Sequence, residues 1–505
     1  MEDIVLVFDC GSTNIRVAAV NAYGRILFWA NRRNMPIQQP NGEQGWKIWD
    51  LDGIWEKLID ALREVLLRIK TENVKAIIVT TWGADGAPVR RNGALTYPPI
   101  SWQCRRTVVT MKKVLMRISA WDVYRITGYQ VIPFNTLLRL IWLRENCPKA
   151  LRDAYTWLMM PGLIAYRLTG EFHIDPTSAS TMMAMDMGKR KWSPDMLELA
   201  LLDEGFFPEW REPGEILGYL TGDAAKKSRL PAGIPVIVGG HDTQFAVLGA
   251  CPEPEDLILS SGTWEILTMR VDRFSPNKKG FVNGMIIEAD VQRGLWNPQM
   301  LMIGSAVIEW AKKQFYEELR EEDYDSMIRE AEKVPIGSEG LLFIPSLTGD
   351  SGPLRKYGTL GTILGLTLQT TRAHIFRAAL EGLSYQLKAA MDILMEANNV
   401  KPKRIRIVGG GSKNSLWNVI RANVTGIPLV AMTQAEATVL GAAAVAFAGI
   451  KHYRSIEEAL RIMRPKERTI YPEPDSVLYK KLYREYRRIP SVLKSYYLKK
   501  KEKHF

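Results

Sequence analysis

At 505 residues the chain exceeds the size at which one hydrophobic core stops growing, so two domains of about 200 to 250 residues are expected. An apolar fraction of 46% supports a globular protein; no run of about 18 uncharged apolar residues is present, and Asp9 interrupts the first apolar stretch too soon for a secretory leader, so a cytoplasmic, non-membrane protein is expected. The net charge of +12 raises nucleic acid as a partner, but much of the excess sits in residues 479–488 and 499–503, a basic C-terminal tail, while acids and bases mix elsewhere. A solvated tail or helix is the expectation there and nucleic acid is not an expected partner, although basic residues interleaved with tyrosines could touch RNA or an anionic surface. Cys10, Cys104, Cys147 and Cys251 have neither zinc nor disulfide spacing and read as free thiols.

Residues 5–20 read as strand, tight turn, strand. Gly11 allows close backbone approach, Ser12 and Thr13 can donate to phosphate oxygens, and Asp9 can hold a hydrated divalent cation. No Gly-Lys-Ser/Thr follows and no helix opens, so this is not a Walker loop. Residues 257–271 repeat the pattern around Gly262 and Thr263, which suggests two related domains facing one nucleotide. Next, a third strand over 25–30, a helix capped by Asp50 or Asp52 with Ile54, Leu58, Leu62, Val65, Leu66 and Ile69 on one face, and a buried strand over 76–80 complete the order of a ribonuclease-H-like, actin-like domain.

The loop Thr81-Trp82-Gly83-Ala84-Asp85-Gly86 pairs a ring with an acid, as sugar sites do; a turn with a buried tryptophan fits the same residues equally well. Trp102 lies close in sequence to Arg105 and Arg106, and residues 134–146 become an amphipathic helix. The strand before Gly239-Gly240 ends in His241 and Asp242. A hydroxyl attacking a phosphoryl group needs a carboxylate to orient it and take its proton, which makes Asp242 the candidate base; His241 could be a second base, but a histidine beside such an acid more often fixes geometry or binds substrate. In the second half, Gly304 opens a helix, His374 is expected to cap or pack near the start of a helix over 371–397, and residues 404–414 read as strand, glycine loop, helix, favourable for a nucleotide. A small-residue helix suited to close packing opens at about Ala435.

With these residues placed, the chain resembles the FGGY carbohydrate kinases from Ile4 to about Pro472. The family pattern at 134–146 is met except that Arg139 stands where lysine is usual, and the second pattern is met from Gly361 through Gly365 and His374 to Glu381. Phe8-Asp-Cys-Gly-Ser-Thr-Asn-Ile-Arg16, Thr81-Trp-Gly-Ala-Asp-Gly86, Gly240-His-Asp-Thr-Gln-Phe-Ala246, Ser260-Ser-Gly-Thr-Trp-Glu-Ile-Leu267 and Arg377-Ala-Ala-Leu-Glu-Gly382 are most similar to the members that act on L-fuculose; the weaker likeness to those that act on L-rhamnulose rests mainly on the Trp-Gly-x-Asp loop and His-Asp-Thr. Residues 345–357, with Gly349-Asp-Ser-Gly-Pro, are more similar to a loop common in other FGGY kinases.

The resemblance implies an α/β fold of two ribonuclease-H-like (actin-like ATPase) domains flanking a catalytic cleft, residues 1–245 and 246–475, followed by the tail at 476–505. It implies ATP with Mg2+ and an open-chain ketose, with transfer of the γ-phosphoryl to the C1 hydroxyl. Asp242 matches the base. Gly11, Ser12, Thr13 and Asn14 match the first phosphate loop, Arg16 a phosphate-facing arginine, and Gly262 with Thr263 the second loop. Gly304, Gly409, Gly410, Gly411, Ser412 and Asn414 match adenosine-side segments. Trp82, Gly83, Asp85, Trp102, Arg106, His241 and Asp242 fall at or near the sugar, and Asp9 with Asp242 is expected to hold Mg2+ through water. Glycerol kinase-like chemistry is disfavoured because Gly83 and Ala84 replace its Arg-Glu pair and Phe134 its substrate tyrosine. L-fuculose is the expected ketose, with L-rhamnulose, ribulose or xylulose as alternatives. An actin-like ATPase switch or scaffold is the reading of a different class, and a homodimer is among the expected assemblies.

Overall fold

The computed structural model describes residues 2–320, 323–348, 359–432 and 436–504, with side chains to Tyr497. The loop expected at 349–357 and the helix start expected at Ala435 lie outside the described residues.

Two sheets organise the chain. In the first, strands run in the spatial order Ile216–Tyr219, Pro235–His241, Val74–Thr81, Ile4–Cys10, Asn14–Asn21, Ile26–Arg33. Pro235–His241, Val74–Thr81 and Ile4–Cys10 are mutually parallel, and Ile4–Cys10 pairs antiparallel with Asn14–Asn21. Val5, Leu6, Val7 and Phe8 are all fully buried, as a strand covered on both faces requires. Helix Leu51–Leu66 covers one face, its amide at Gly53 donating to the Asp50 cap. Helices Asp242–Gly249 and Ala437–Gly449 cover the other.

The second sheet repeats the scheme, in the order Ile286–Ala289, Trp296–Ile303, Trp264–Met269, Asp256–Ser261, Arg404–Val408, Leu429–Met432, Glu467–Ile470. The hairpin Asp256–Ser261/Trp264–Met269 therefore occupies the place that Ile4–Cys10/Asn14–Asn21 holds in the first. Helix Ala437–Gly449 crosses helix Asp242–Gly249 so closely that a Cβ on Gly249 would lie 1.8 Å from the Ala437 carbonyl and one on Gly441 2.1 Å from that of Phe245. The small-residue run serves this crossing, and it welds the two halves into a shared core. Helix Asp242–Gly249 runs through the boundary expected at 245.

The basic C-terminal segment forms helices Ser476–Tyr486 and Ile489–His504. Tyr479, Tyr483 and Tyr486 are buried against Tyr385, and Tyr479 accepts from Arg377 at 3.2 Å while donating to Glu381 at 3.1 Å. Tyr479, Tyr483 and Tyr486 are thus core, whereas Tyr496 is exposed. His374 caps helix Arg372–Asn398, taking the Thr371 amide at 3.2 Å on Nδ1. The four cysteines are free.

Candidate active site

Three adjacent parallel strands end together at Cys10, Thr81 and His241, with Asp9 opposite Thr80 and Arg16, and Gly240 also opposite Thr80. Ligands in open α/β sheets bind outside the carboxyl ends of such strands. This register gathers the first hairpin, the loop after Thr81 and Asp242, residues more than 200 positions apart, at one edge.

Asp242 is the first residue of its helix, where backbone amides favour negative charge; the Thr243 amide donates to its Oδ1 at 2.6 Å, and its side chain remains 24% exposed. Asp9 accepts from Thr80 at 3.3 Å and lies 3.9 Å from Arg16 Nη1. Burial pushes the Asp9 carboxyl up; Arg16 opposes and the Asp242 charge adds to the rise, leaving it at about 6. An acid as buried as Asp9, with a second carboxylate close by, suits a divalent cation. Among the described residues no cluster of three or more acids, histidines or cysteines surrounds them. A cation there would keep water and phosphate in most of its shell, as Mg2+ does.

In the hairpin the Gly11 amide donates to the Asn14 carbonyl at 2.8 Å, and Asn34 braces the turn through bonds to Gly11 and Thr13. Thr13 and Asn14 are exposed and Ser12 is half-buried. Arg16 reaches across to Glu436, the residue that precedes helix Ala437–Gly449 of the other half.

On the sugar side the structure divides the expected residues. Asp85 has no exposed surface: its Oδ2 accepts from the indole N–H groups of Trp49 at 2.5 Å and Trp82 at 2.8 Å and from the Trp102 amide at 3.1 Å, and its Oδ1 lies 2.7 Å from Arg139 Nη1. Trp82 is buried against Trp49 with ring centroids 4.4 Å apart. Arg106 is turned into a box of Trp46 and Trp142 and donates to Tyr97 at 3.0 Å. The polar groups of Trp82 and Asp85, expected as sugar contacts, are thus engaged inside the fold, where they brace the loop, while Arg106 is half-buried against Tyr97, Trp46 and Trp142. The turn with a buried tryptophan is what forms. Arg139, the departure from the family pattern, completes the buried pair and also donates to the Ala84 carbonyl at 2.6 Å.

Gly83, Trp102 and His241 stay accessible. A Cβ on Gly83 would lie 2.8 Å from Thr181 Cγ2 and 3.1 Å from the His241 ring, so an arginine there would displace the histidine. Trp102 is 37% exposed and stands edge-on to Phe134. The His241 ring is flanked by Asp242, with Nδ1 3.1 Å from Oδ1, and by Glu288, with Nε2 3.6 Å from Oε2. Burial disfavours its charge, but Glu288 and Asp242 outweigh that and hold it up at about 9. Two flanking carboxylates that favour the protonated ring suit His241 to binding and orientation more than to proton abstraction.

The second hairpin and the Arg404–Val408 strand end meet in the same way. Gly304 and Ser305 amides donate to Thr263 and Gly262 carbonyls at 3.0 and 2.9 Å, and Thr263 is exposed. In the glycine loop Gly409 is half-buried, Gly410 is exposed and Gly411 is buried. Ser412 Oγ donates to Gly409 O at 2.7 Å, and Asn414 caps helix Ser415–Thr425 by accepting the Trp417 amide at 2.9 Å.

Five further residues belong to this architecture. Arg139 is one. Asp175 and Thr177 wrap Gly240, whose φ of +154° and missing Cβ, which would lie 2.2 Å from Thr177 Oγ1, permit the approach; Thr177 Oγ1 accepts the His241 amide at 2.9 Å. Thr181 accepts the Ala84 amide at 2.8 Å, and Glu288 comes from a second-sheet strand. Asp175 followed by Pro176 is a helix-start signal, and a lone carboxylate in Ile286-Ile-Glu288-Ala signals a buried partner. Neither signal names its destination.

Comparison with known proteins agrees with this geometry. Residues 4–249 match the N-terminal domain, and residues 257–450 the C-terminal domain, of the FGGY family of carbohydrate kinases. The chain is 39% identical to the L-fuculokinase of Escherichia coli over 475 residues, covering 94% of this chain and 98% of that protein, and 36% identical over 480 residues to the L-fuculokinase of Haemophilus influenzae, covering 93% and 99%. The crystal structure of xylulose kinase from Rhodospirillum rubrum superposes with a TM-score of 0.88 at 22% identity, over 98% of this chain and 100% of that one, which speaks for the fold alone. With two matching domains in sequence order and a full-length relative well above 30% identity, the chain belongs to the FGGY family of carbohydrate kinases.

Proposed function

We propose that this sugar kinase transfers the γ-phosphoryl of ATP to the C1 hydroxyl of L-fuculose, giving L-fuculose 1-phosphate, with residues 1–245 supplying the sugar site and first phosphate loop and 246–475 the second loop and adenosine side. The placement of Asp242 carries the reading: a partly exposed carboxylate at a helix N-terminus, beside Asp9 and the first hairpin and next to the Gly83–His241 opening. Near-full-length similarity to proteins named L-fuculokinase supports the choice of ketose.

In this mechanism Asp242 accepts a hydrogen bond from the C1 hydroxyl, aligns its oxygen on the γ-phosphorus and takes its proton as the new P–O bond forms and the bond from the γ-phosphorus to the β,γ-bridging oxygen breaks, releasing ADP. Ser12, Thr13, Asn14, Gly262 and Thr263 hold the phosphates, and Arg16, released from Glu436, faces the transferring group. Asp9 and Asp242 would hold Mg2+ through water, and the ion would supply neutralisation of phosphoryl charge. His241 and Trp102 read the sugar, while Asp85, Trp82 and Arg139 keep that loop in shape. Gly304, Gly409, Gly410, Gly411, Ser412 and Asn414 line the adenosine side.

The test is Mg2+-dependent ADP release with L-fuculose, L-rhamnulose, both ribuloses, both xyluloses, glycerol and no sugar. L-fuculose is expected to give the highest kcat/KM. A better rate with another ketose would overturn the substrate, and equal turnover without sugar would favour an ATPase switch.

A further inference from the structure

His241 stands on the first sheet, but the residue behind its Nε2 does not. Glu288 lies on strand Ile286–Ala289 of the second sheet and is 1% exposed. Beyond the His241 ring it accepts from Gln244 at 2.5 Å and from Tyr129 and Gln299, while Asn297 donates to the Gln244 carbonyl oxygen at 2.5 Å. Gln244, Asn297 and Gln299 are at most 2% exposed and Tyr129 is 5% exposed. On its first-sheet side the histidine faces Asp242, its amide donates to Thr177, and Asp175 lies nearby. A buried polar network thus joins both halves directly behind Asp242.

Burying a carboxylate is costly unless each oxygen is satisfied and a charge answers it. A second domain that needed only to dock here would do so more cheaply with apolar residues. Three side chains, Gln244, Tyr129 and Gln299, are instead bonded to one acid, and that acid points at the ring that lies beside Asp242.

We infer that Glu288 is a positioning residue of the sugar site: contributed by the second domain, it pins the His241 imidazole so that its other face sets Asp242 against the sugar hydroxyl. The inference rests on the ketose-kinase reading. It makes the sugar site incomplete without the second half, although every expected sugar contact lies in the first.

A double-mutant cycle tests it. Glu288→Gln keeps size and most hydrogen bonding but removes the charge; kcat/KM for the ketose is expected to fall on the order of 10- to 100-fold, with KM for ATP changed less than about twofold. In the His241→Gln background the same change is expected to cost less than about twofold, because the group it acts through is gone. Equal losses in both backgrounds, or a parallel rise in KM for ATP, would overturn the positioning role. If Glu288→Gln does not fold, Glu288→Asp, which keeps the charge and shortens its reach, runs the same cycle: a loss confined to the His241 background supports the role, and equal losses in both overturn it. Absence of ketose-dependent ADP release by the unsubstituted protein would defeat the kinase reading and this inference together, whereas ketose turnover with additive losses would defeat the inference alone.

Discussion

At the scale of single residues, environment assigns roles that residue type does not. Asp9 and Asp242 are both aspartates at strand ends, yet burial and the neighbouring acid lift Asp9, whereas Asp242 sits on a helix N-terminus with part of its surface open. Asp242→Asn is expected to lower kcat by roughly 10²- to 10⁴-fold, the range of general base catalysis, with Tm unchanged. Wild-type turnover in that variant would remove Asp242 from the mechanism. His173 offers a test away from the site. It is 2% exposed with no partner on Nδ1, and burial, aided by Arg211, holds it down at about 4 against an ordinary 6.5. The unfolded chain takes up a proton below pH 6.5 and the folded one does not until about pH 4, so stability falls as pH drops through that window. The loss is of order 3 kcal/mol by about pH 4, and urea denaturation of wild type against His173→Gln should show a shallower pH slope in the variant. Parallel slopes would mean that His173 is not what the acid limb reports.

At the scale of elements, the C-terminal segment changes meaning once its partners are visible. As sequence it is a run of basic residues; as helix Ser476–Tyr486 it turns Tyr479, Tyr483 and Tyr486 onto Tyr385 and closes over the buried Arg377–Glu381 pair. A chain ending at Asp475 would expose that cluster and leave the ion pair without its tyrosine. Its Tm is expected to fall by roughly 10 °C or more, given about 1.5 to 3 kcal/mol per large buried side chain. An unchanged Tm in calorimetry would show that the helix is an appendage. The loop after Thr81 is the converse case: its aromatic and acidic residues read as a sugar surface, but Asp85 anchors Trp49, Trp82, Trp102 and Arg139 from within. What it presents outward is the small Gly83 and the partly exposed Trp102 ring.

At the scale of the molecule, the contacts that tie the halves include the crossing of helices Asp242–Gly249 and Ala437–Gly449, the Arg16–Glu436 pair, and the His241–Glu288 contact. Two of these touch groups proposed to meet phosphate or sugar. Occupation of the sugar site should therefore govern how the phosphate groups are arranged, and ADP release without ketose is expected to be at least about 100-fold slower than with it. Comparable rates with and without ketose in a coupled assay would break that link.

The amino-acid sequence by itself determined the two hairpins, the strand that leads to Asp242, the glycine loop at 409–411, the cap role of His374 and the family, because each is written in a contiguous stretch whose turn residues and apolar period are local. Phe8 to Arg16 and Gly240 to Ala246 were legible for that reason. The tertiary structure alone decided which side chains face the cleft. Whether Asp85 meets sugar or Trp49 depends on residues 36 positions away, whether Tyr479 meets RNA or Glu381 on residues 98 away, and Glu288 reaches His241 only because a second-sheet strand passes behind a first-sheet strand end. Burial and pairing across such distances are properties of packing, and no local pattern encodes the partner.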